Sequence, residues 1–154
     1  MTLAALLYAI HALAAVVWVG GMVFAYAVLR PVAGNLQPPD RLVLWNGVFR
    51  RFFVWVWHAV VLLPLTGYLI MFGTMDGFAG AGLHVHLMQG LAWIMIAIYL
   101  YLFFVPYQRF RAAVGAEDWP VAAGHLAAIR KTVAANMILG LITVLVGSSG
   151  QFWG

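Results

Sequence analysis

The five histidines are the residues of this sequence best suited to chemistry, because it contains no cysteine. His11, His58, His84 and His86 lie in stretches that are otherwise almost wholly apolar, whereas His125 lies close to basic residues. An ionisable side chain inside a membrane segment is a functional-site candidate by default. Neutral imidazole is a good ligand for iron, copper and zinc. The four histidines in apolar stretches are therefore the candidate ligands.

The spacing of two of these histidines predicts a haem site. His11 and His86 each lie in the first helix of one half of a weak internal repeat, toward the same side of the membrane. Two axial ligands must approach haem iron from opposite faces. We therefore expect a b-type haem held by this pair, with His58 as a further ligand candidate. The side chains expected to line the pocket share helix faces with the ligands: Trp18, Gln89 and Trp93.

A copper site is the alternative, and it uses overlapping residues. His84 and His86 form a His-x-His pair, and methionines lie nearby in the sequence. Imidazole and thioether are both good ligands for copper. The candidate copper ligands are His11, His84, His86, Met71, Met75 and Met88. A third interpretation is a structural or assembly subunit without a cofactor, since methionine commonly fills gaps in apolar packing.

Composition restricts the class of protein. The chain of 154 residues is 66% hydrophobic and only 8% charged, whereas soluble domains are about 45–50% apolar and about 25% charged. Eight basic and four acidic residues are too few for a nucleic-acid surface. No pair of carboxylates and no Ser-His-Asp set falls within the apolar stretches. The composition is that of a small integral membrane protein whose surrounding partner is the lipid bilayer.

The charge-free stretches predict four membrane spans in one all-α domain, residues 1–154. A helical span needs about 20 apolar residues. The predicted spans are residues 3–29, 52–72, 83–105 and 132–146. Short connections favour an up-down-up-down four-helix bundle.

All Lys and Arg residues fall between residues 30 and 51 or between 109 and 131. The positive-inside rule therefore predicts that segments 30–51 and 106–131 are cytoplasmic. Both termini and the loop 73–82 are then periplasmic. The segments 41–51 and 118–131 are expected to extend spans two and four as helices. The sequence leaves a homodimer open.

Several segments resemble the copper-resistance D (CopD) family of bacterial inner-membrane proteins. His11 through Gly21, followed by Leu29-Arg30-Pro31, resembles its first helix. Arg51-Phe52-Phe53 leading to Leu65-Thr66-Gly67 resembles its second, and His84-Val85-His86 through Met95 its third. Asp118-Trp119-Pro120, Arg130-Lys131 and Asn136 to Gly140 resemble its single-domain members. The resemblance implies a multi-pass protein of the bacterial inner membrane that is linked to copper handling.

A more distant likeness is to the haem-dependent protoporphyrinogen oxidases of bacteria. They share a first-helix histidine followed by Trp and Gly, as at His11 and Trp18, and a later helix that begins Leu-His-Val-Lys. Here the corresponding residues are Leu83 to His86, with histidine in place of lysine. Together the likenesses predict a CopD-like haem b protein with an electron-transfer role linked to copper handling. Quinol or quinone, or a periplasmic redox or copper protein, would be its partner. Whether it is an enzyme, such as a membrane haem oxidoreductase, stays open.

Overall fold

The structure is a computed structural model that describes residues 2–153, and within that range the chain is helical without a β-strand. The helices are α1 (Leu3–Ala33), α2 (Pro38–Thr74), α3 (Leu83–Phe104), α4 (Pro106–Gly115) and α5 (Trp119–Ser149), and a 3-10 turn (Gly150–Phe152) follows α5. Four helical segments are long and apolar enough to cross a membrane. The predicted all-α membrane fold with four spans is therefore confirmed.

Local sequence signals explain where the helices begin. The Thr2 hydroxyl caps α1 by accepting a hydrogen bond from the Ala5 amide at 3.3 Å. The Asp118 carboxylate caps α5 by accepting one from the Val121 amide at 3.2 Å. Three helices carry proline in the first turn, where its missing N–H is not needed: α2, α4 and α5.

Two helices are longer than the membrane requires. α2 has 37 residues, which is about 55 Å at 1.5 Å per residue, against a hydrocarbon core of about 30 Å. Since α2 begins at Pro38 and α5 at Trp119, the segments 41–51 and 118–131 do continue the membrane helices. These extensions and α4 form a sub-bundle beyond the membrane-spanning part. Its buried side chains are among the least exposed of the described residues: Leu42, Phe110, Leu126 and Ile129.

The four long helices pack as two closely associated pairs. α1 packs mainly along α2, and α3 packs mainly along α5. The start of α1, the end of α2, the start of α3 and the end of α5 meet at one end of the bundle, here called the outer end. The opposite end carries all eight Lys and Arg side chains and is called the basic end. That the basic end faces the cytoplasm stays a prediction.

An aromatic layer closes the middle of the bundle. Trp18 of α1 meets Tyr99 of α3 edge to face, with ring centroids 6.1 Å apart. The Tyr99 hydroxyl donates a hydrogen bond to the Phe53 carbonyl of α2 at 3.2 Å. α1 departs from α-helical geometry at this level, with π-helical segments at Val16–Gly20 and Phe24–Leu29. Three helices are thus joined at one depth.

Candidate metal site at the outer end

His84 and Met88 of α3 share one face of that helix. They are four residues apart, a spacing that brings side chains together on a helix surface. Both face glycines at the end of α5, Gly147 within the helix and Gly150 directly after it. A Cβ atom added to Gly147 would lie 2.9 Å from Met88 Sδ, and one added to Gly150 would overlap the His84 imidazole. The two glycines therefore provide the space that the imidazole and the thioether occupy.

The Nδ1 atom of His84 is buried and has no hydrogen-bond partner among the described residues. A buried nitrogen without a partner is costly, at roughly 1–3 kcal/mol. The same nitrogen, when unprotonated, offers a lone pair to a metal ion. Imidazole and thioether together suit Cu(I), a soft ion that is stable in low coordination.

His86 and Met71 are two of the other predicted copper ligands. His86, two residues from His84, points to nearly the opposite side of α3; it is exposed, and its ring stacks 6.4 Å from that of Phe78. The carbonyl of Met71, whose side chain is buried, accepts hydrogen bonds at 3.1 Å from the amides of Met75 and Gly77 and so closes the end of α2. Within residues 2–153, no group of three or more His, Asp or Glu side chains could hold a metal ion.

His11 is held against α2. Its Nδ1 lies 2.8 Å from the Thr66 hydroxyl oxygen, and that hydroxyl donates to the Leu62 carbonyl at 2.6 Å. His11 Nδ1–H must then be the donor to Thr66, which leaves the lone pair on Nε2. A Cβ atom on Gly67 would lie 3.3 Å from His11 Cε1, so the close approach of the two helices depends on this glycine.

Gln89 and Trp93 make their hydrogen bonds to the other side of α2. The Gln89 amide donates to the Tyr68 hydroxyl, and the Trp93 indole N–H donates to the same oxygen at 3.3 Å. Thr66 and Tyr68 are two residues apart on α2 and so face nearly opposite sides of it. Gln89 shares a helix face with His86. The structure therefore does not bring His11 and His86 together across one cavity.

The remaining two residues of the predicted haem site also lie apart. Trp18 is buried in the middle of the bundle beside Tyr99. His58 is exposed on the surface of α2, where its Nδ1 donates to the Val54 carbonyl at 2.7 Å. As arranged, His11 and His86 do not fit one haem between them, and haem binding stays a prediction that rests on the sequence.

Two polar residues were not among the predicted site residues. Tyr68 collects the hydrogen bonds of Gln89 and Trp93. Asn136 is 3% exposed, and its Oδ1 has no hydrogen-bond partner among the described residues. The signal that marks Asn136 in the sequence is a side-chain amide within an apolar span, which requires a partner in the bilayer.

Replacing Thr66 by valine is expected to lower the free energy of unfolding by about 0.6 kcal/mol, the average measured for hydrogen bonds between membrane helices, and by no more than about 1.7 kcal/mol. The change removes the acceptor of His11. Thr74→Val is the matched control, because within the described part of the chain the Thr74 hydroxyl bonds only to the Ile70 carbonyl of its own helix. Reversible unfolding in detergent compares them. Equal losses for the two variants would show that the His11–Thr66 bond adds no stability.

Fold and site together define a polytopic helical membrane protein with an imidazole–thioether pair at one end of its bundle. The sequence profile of the family described as copper resistance protein D matches residues 46–149, about two thirds of the chain. The chain belongs to the copper resistance protein D family. The matched range includes His84 and Met88 but not α1. Neither the curated proteins nor the solved structures yielded a match.

Proposed function

We propose that the protein binds copper at its outer end, with His84 and Met88 as ligands, as one step of copper handling at the bacterial inner membrane. One observation carries the proposal: the unpartnered His84 Nδ1 lies on the same face of α3 as the Met88 thioether. Gly147 and Gly150 leave space for both side chains. In this role copper is the cargo of the protein.

The donor chemistry favours Cu(I) over other common ions. Structural zinc prefers four ligands drawn from thiolate, imidazole and carboxylate, and the chain has no cysteine. Magnesium and calcium require oxygen ligands. A thioether is a soft ligand that selects Cu(I). The pair therefore has the chemistry of a site that holds Cu(I) and releases it again.

The charge distribution supports entry of a cation at the outer end. All Lys and Arg side chains lie at the basic end, and Asp76 is the only Asp, Glu, Lys or Arg residue between Arg51 and Arg109. Asp76 lies in the turn between α2 and α3, close in sequence to His84. A negative charge without neighbouring positive charges attracts cations to that end. The natural donor would be a periplasmic copper protein.

Met88→Leu tests the proposal with little change in side-chain volume. Cu(I) affinity is expected to fall by at least about tenfold, equivalent to about 1.4 kcal/mol, because leucine has no sulfur atom. Met75→Leu is the control. Anaerobic competition of the detergent-purified protein with a coloured Cu(I) chelator measures both. Wild-type affinity in Met88→Leu, or the same loss in both variants, would refute the role of Met88.

A haem-based redox role is the second candidate, and the hydrogen bond of His11 to Thr66 favours it. Its Nδ1–H donates to Thr66, which orients the ring and leaves Nε2 free to bind iron. The visible spectrum of protein purified after haem-replete expression tests this candidate. Sharp α and β bands on reduction, lost in His11→Ala, would support it. A colourless protein would exclude the haem-based role. If the colourless protein also binds no copper, the structural role without a cofactor is favoured.

A further inference from the structure

Three arginines from three helices lie close together at the basic end. Arg30 is near the end of α1, Arg41 in the first turn of α2, and Arg130 in the extension of α5. Burial lowers the pKa of the Arg130 guanidinium, and the positive charges of Arg30 and Arg41 lower it further. Leu42 and Ile129, their neighbours in the chain, belong to one buried core. The three side chains therefore form one group of positive charges, here called the arginine cluster.

The arginine cluster lacks a partner of opposite charge. The Nε atoms of Arg41 and Arg130 are buried and make no hydrogen bond within residues 2–153. The charges of described residues that act on Arg130 are both positive. Asp40 precedes Arg41 in the chain but is exposed in the first turn of α2, where it complements the helix dipole. Partly buried guanidinium groups among like charges favour a bound anion, and phosphate matches their planar geometry.

The arginine cluster lies at the depth expected for lipid headgroups. Residues 1–29 carry no charge, and Arg30 follows them directly. On α5 the charge-free stretch begins at Thr132, directly after Arg130 and Lys131. Because stretches of about 20 apolar residues cross the hydrocarbon core, these arginines lie at its boundary. Basic pockets between membrane helices on the cytoplasmic side bind the headgroups of anionic lipids.

An open groove between α1 and α2 leads away from the arginine cluster. Its volume is about 490 Å³, within the range of about 300–1,000 Å³ that is usual for ligand sites. Leu29, next to Arg30, and Leu44, about one helical turn from Arg41, line the groove where it meets the cluster. Apart from Arg51, all lining residues are glycine, aliphatic or aromatic. The groove therefore suits a hydrocarbon chain whose headgroup lies at the arginines.

The walls of the groove are irregular on one side and expose aromatic rings on both. On α1, the lining residues Phe24, Ala25 and Leu29 belong to the π-helical segment Phe24–Leu29. π-Helical turns are rare and occur frequently at functional sites. Phe24 is 57% exposed, and Trp55 on the α2 wall is 62% exposed. Tryptophan is enriched where membrane and water meet, which agrees with a lipid as the occupant.

We propose a binding site for one anionic phospholipid at the basic end, with its phosphate held by Arg30, Arg41 and Arg130 and one acyl chain in the groove between α1 and α2. The phospholipid supplies the negative charge that the arginine cluster lacks. It also joins three helices at the boundary of the membrane. This site is at the opposite end of the bundle from His84 and does not rest on the proposed function.

Titration with phosphatidylglycerol, followed by native mass spectrometry of the delipidated protein in detergent, tests the arginine cluster. Arg41→Gln/Arg130→Gln should lower the affinity by at least about tenfold, because two of the three charges are removed. Arg109→Gln/Arg111→Gln is the matched control. It removes the same charge from α4, where both side chains are exposed, and should bind as the wild type does. Equal losses in the two variants would overturn the proposal, because they would indicate general attraction between charges.

Gly47→Leu tests the groove. Gly47 lines it, and a Cβ atom added there meets nothing within 4 Å, so the leucine side chain takes the space of the acyl chain without a clash. We expect the affinity for phosphatidylglycerol to fall about tenfold, the effect of displacing about two methylene groups from apolar contact. Gly73→Leu, at an equally open position of the same helix, should leave the affinity unchanged. Wild-type affinity in Gly47→Leu would overturn the acyl-chain site.

Inorganic phosphate distinguishes a lipid from a soluble ligand. Excess sodium phosphate should displace phosphatidylglycerol no better than sodium chloride of the same ionic strength, because phosphate cannot fill the groove. Specific displacement by phosphate would overturn the lipid and indicate a soluble phosphate compound. Arg41→Gln/Arg130→Gln removes unpartnered buried charges, so its unfolding temperature without lipid should stay the same or rise. If that variant does not fold, the comparison of Gly47→Leu with Gly73→Leu still decides the proposal.

Discussion

The combined change His84→Ala/Met88→Leu is expected to abolish Cu(I) binding at the outer end. Bound copper should fall from about one ion per chain to none, because the imidazole and the thioether that hold it are both removed. Single substitutions weaken the site, and removal of both donors eliminates it. Equilibrium dialysis under reducing, anaerobic conditions gives the ratio of copper to protein.

His86→Ala/Met75→Leu is the matched control for this experiment. It also removes one imidazole and one thioether from the region around the α2–α3 turn, but His86 is exposed beside Phe78 on another side of α3. The control variant should bind copper as the parent does. If instead the control loses its copper and the His84→Ala/Met88→Leu variant keeps it, the ligand assignment is wrong.

Phe110→Ala is expected to lower the free energy of unfolding by about 3–5 kcal/mol, the usual cost of removing a buried phenylalanine side chain. Phe110 is 0% exposed and meets Phe49 edge to face, with ring centroids 5.9 Å apart. It joins α4 to α2 in the sub-bundle at the basic end. The cavity left behind could not be filled by lipid, because the side chain lies within the protein.

Phe104→Ala is the control for this prediction, since Phe104 is 61% exposed and lies only six residues away. The decrease in the free energy of unfolding should be far smaller for Phe104→Ala than for Phe110→Ala. Unfolding of the two variants in mixed micelles, followed by circular dichroism, provides the comparison. Similar losses for both would mean that the sub-bundle does not contribute its own packed core to the stability of the protein.

The spans were predictable because charge is so unevenly distributed. Long apolar stretches without charge have one stable form in a bilayer, since only helices and closed barrels satisfy all backbone hydrogen bonds there. The helical extension of α2 toward Pro38 was also predictable, because segment 41–51 carries no helix-breaking proline and leads directly into span two.

The rotation of each helix about its axis was not predictable from the sequence. His84 and His86 point to different sides of α3, and only the packing of α3 against Gly147 of α5 and Gly150 of the following turn determines that His84 is the less exposed of the two. The same applies to His11, which contacts Thr66 instead of lying across the bundle from His86. In α1 the π-helical segments also change the number of residues per turn, so a face drawn at 3.6 residues per turn does not continue past Val16.

X-ray absorption at the copper K edge tests the central claim, Cu(I) held by His84 and Met88, most directly. The sample is the protein loaded with one equivalent of Cu(I). The account predicts a first shell that contains both an imidazole nitrogen and a thioether sulfur, with the sulfur absent when Met88 is changed to leucine. A shell of nitrogen and oxygen atoms alone in the unchanged protein would contradict it.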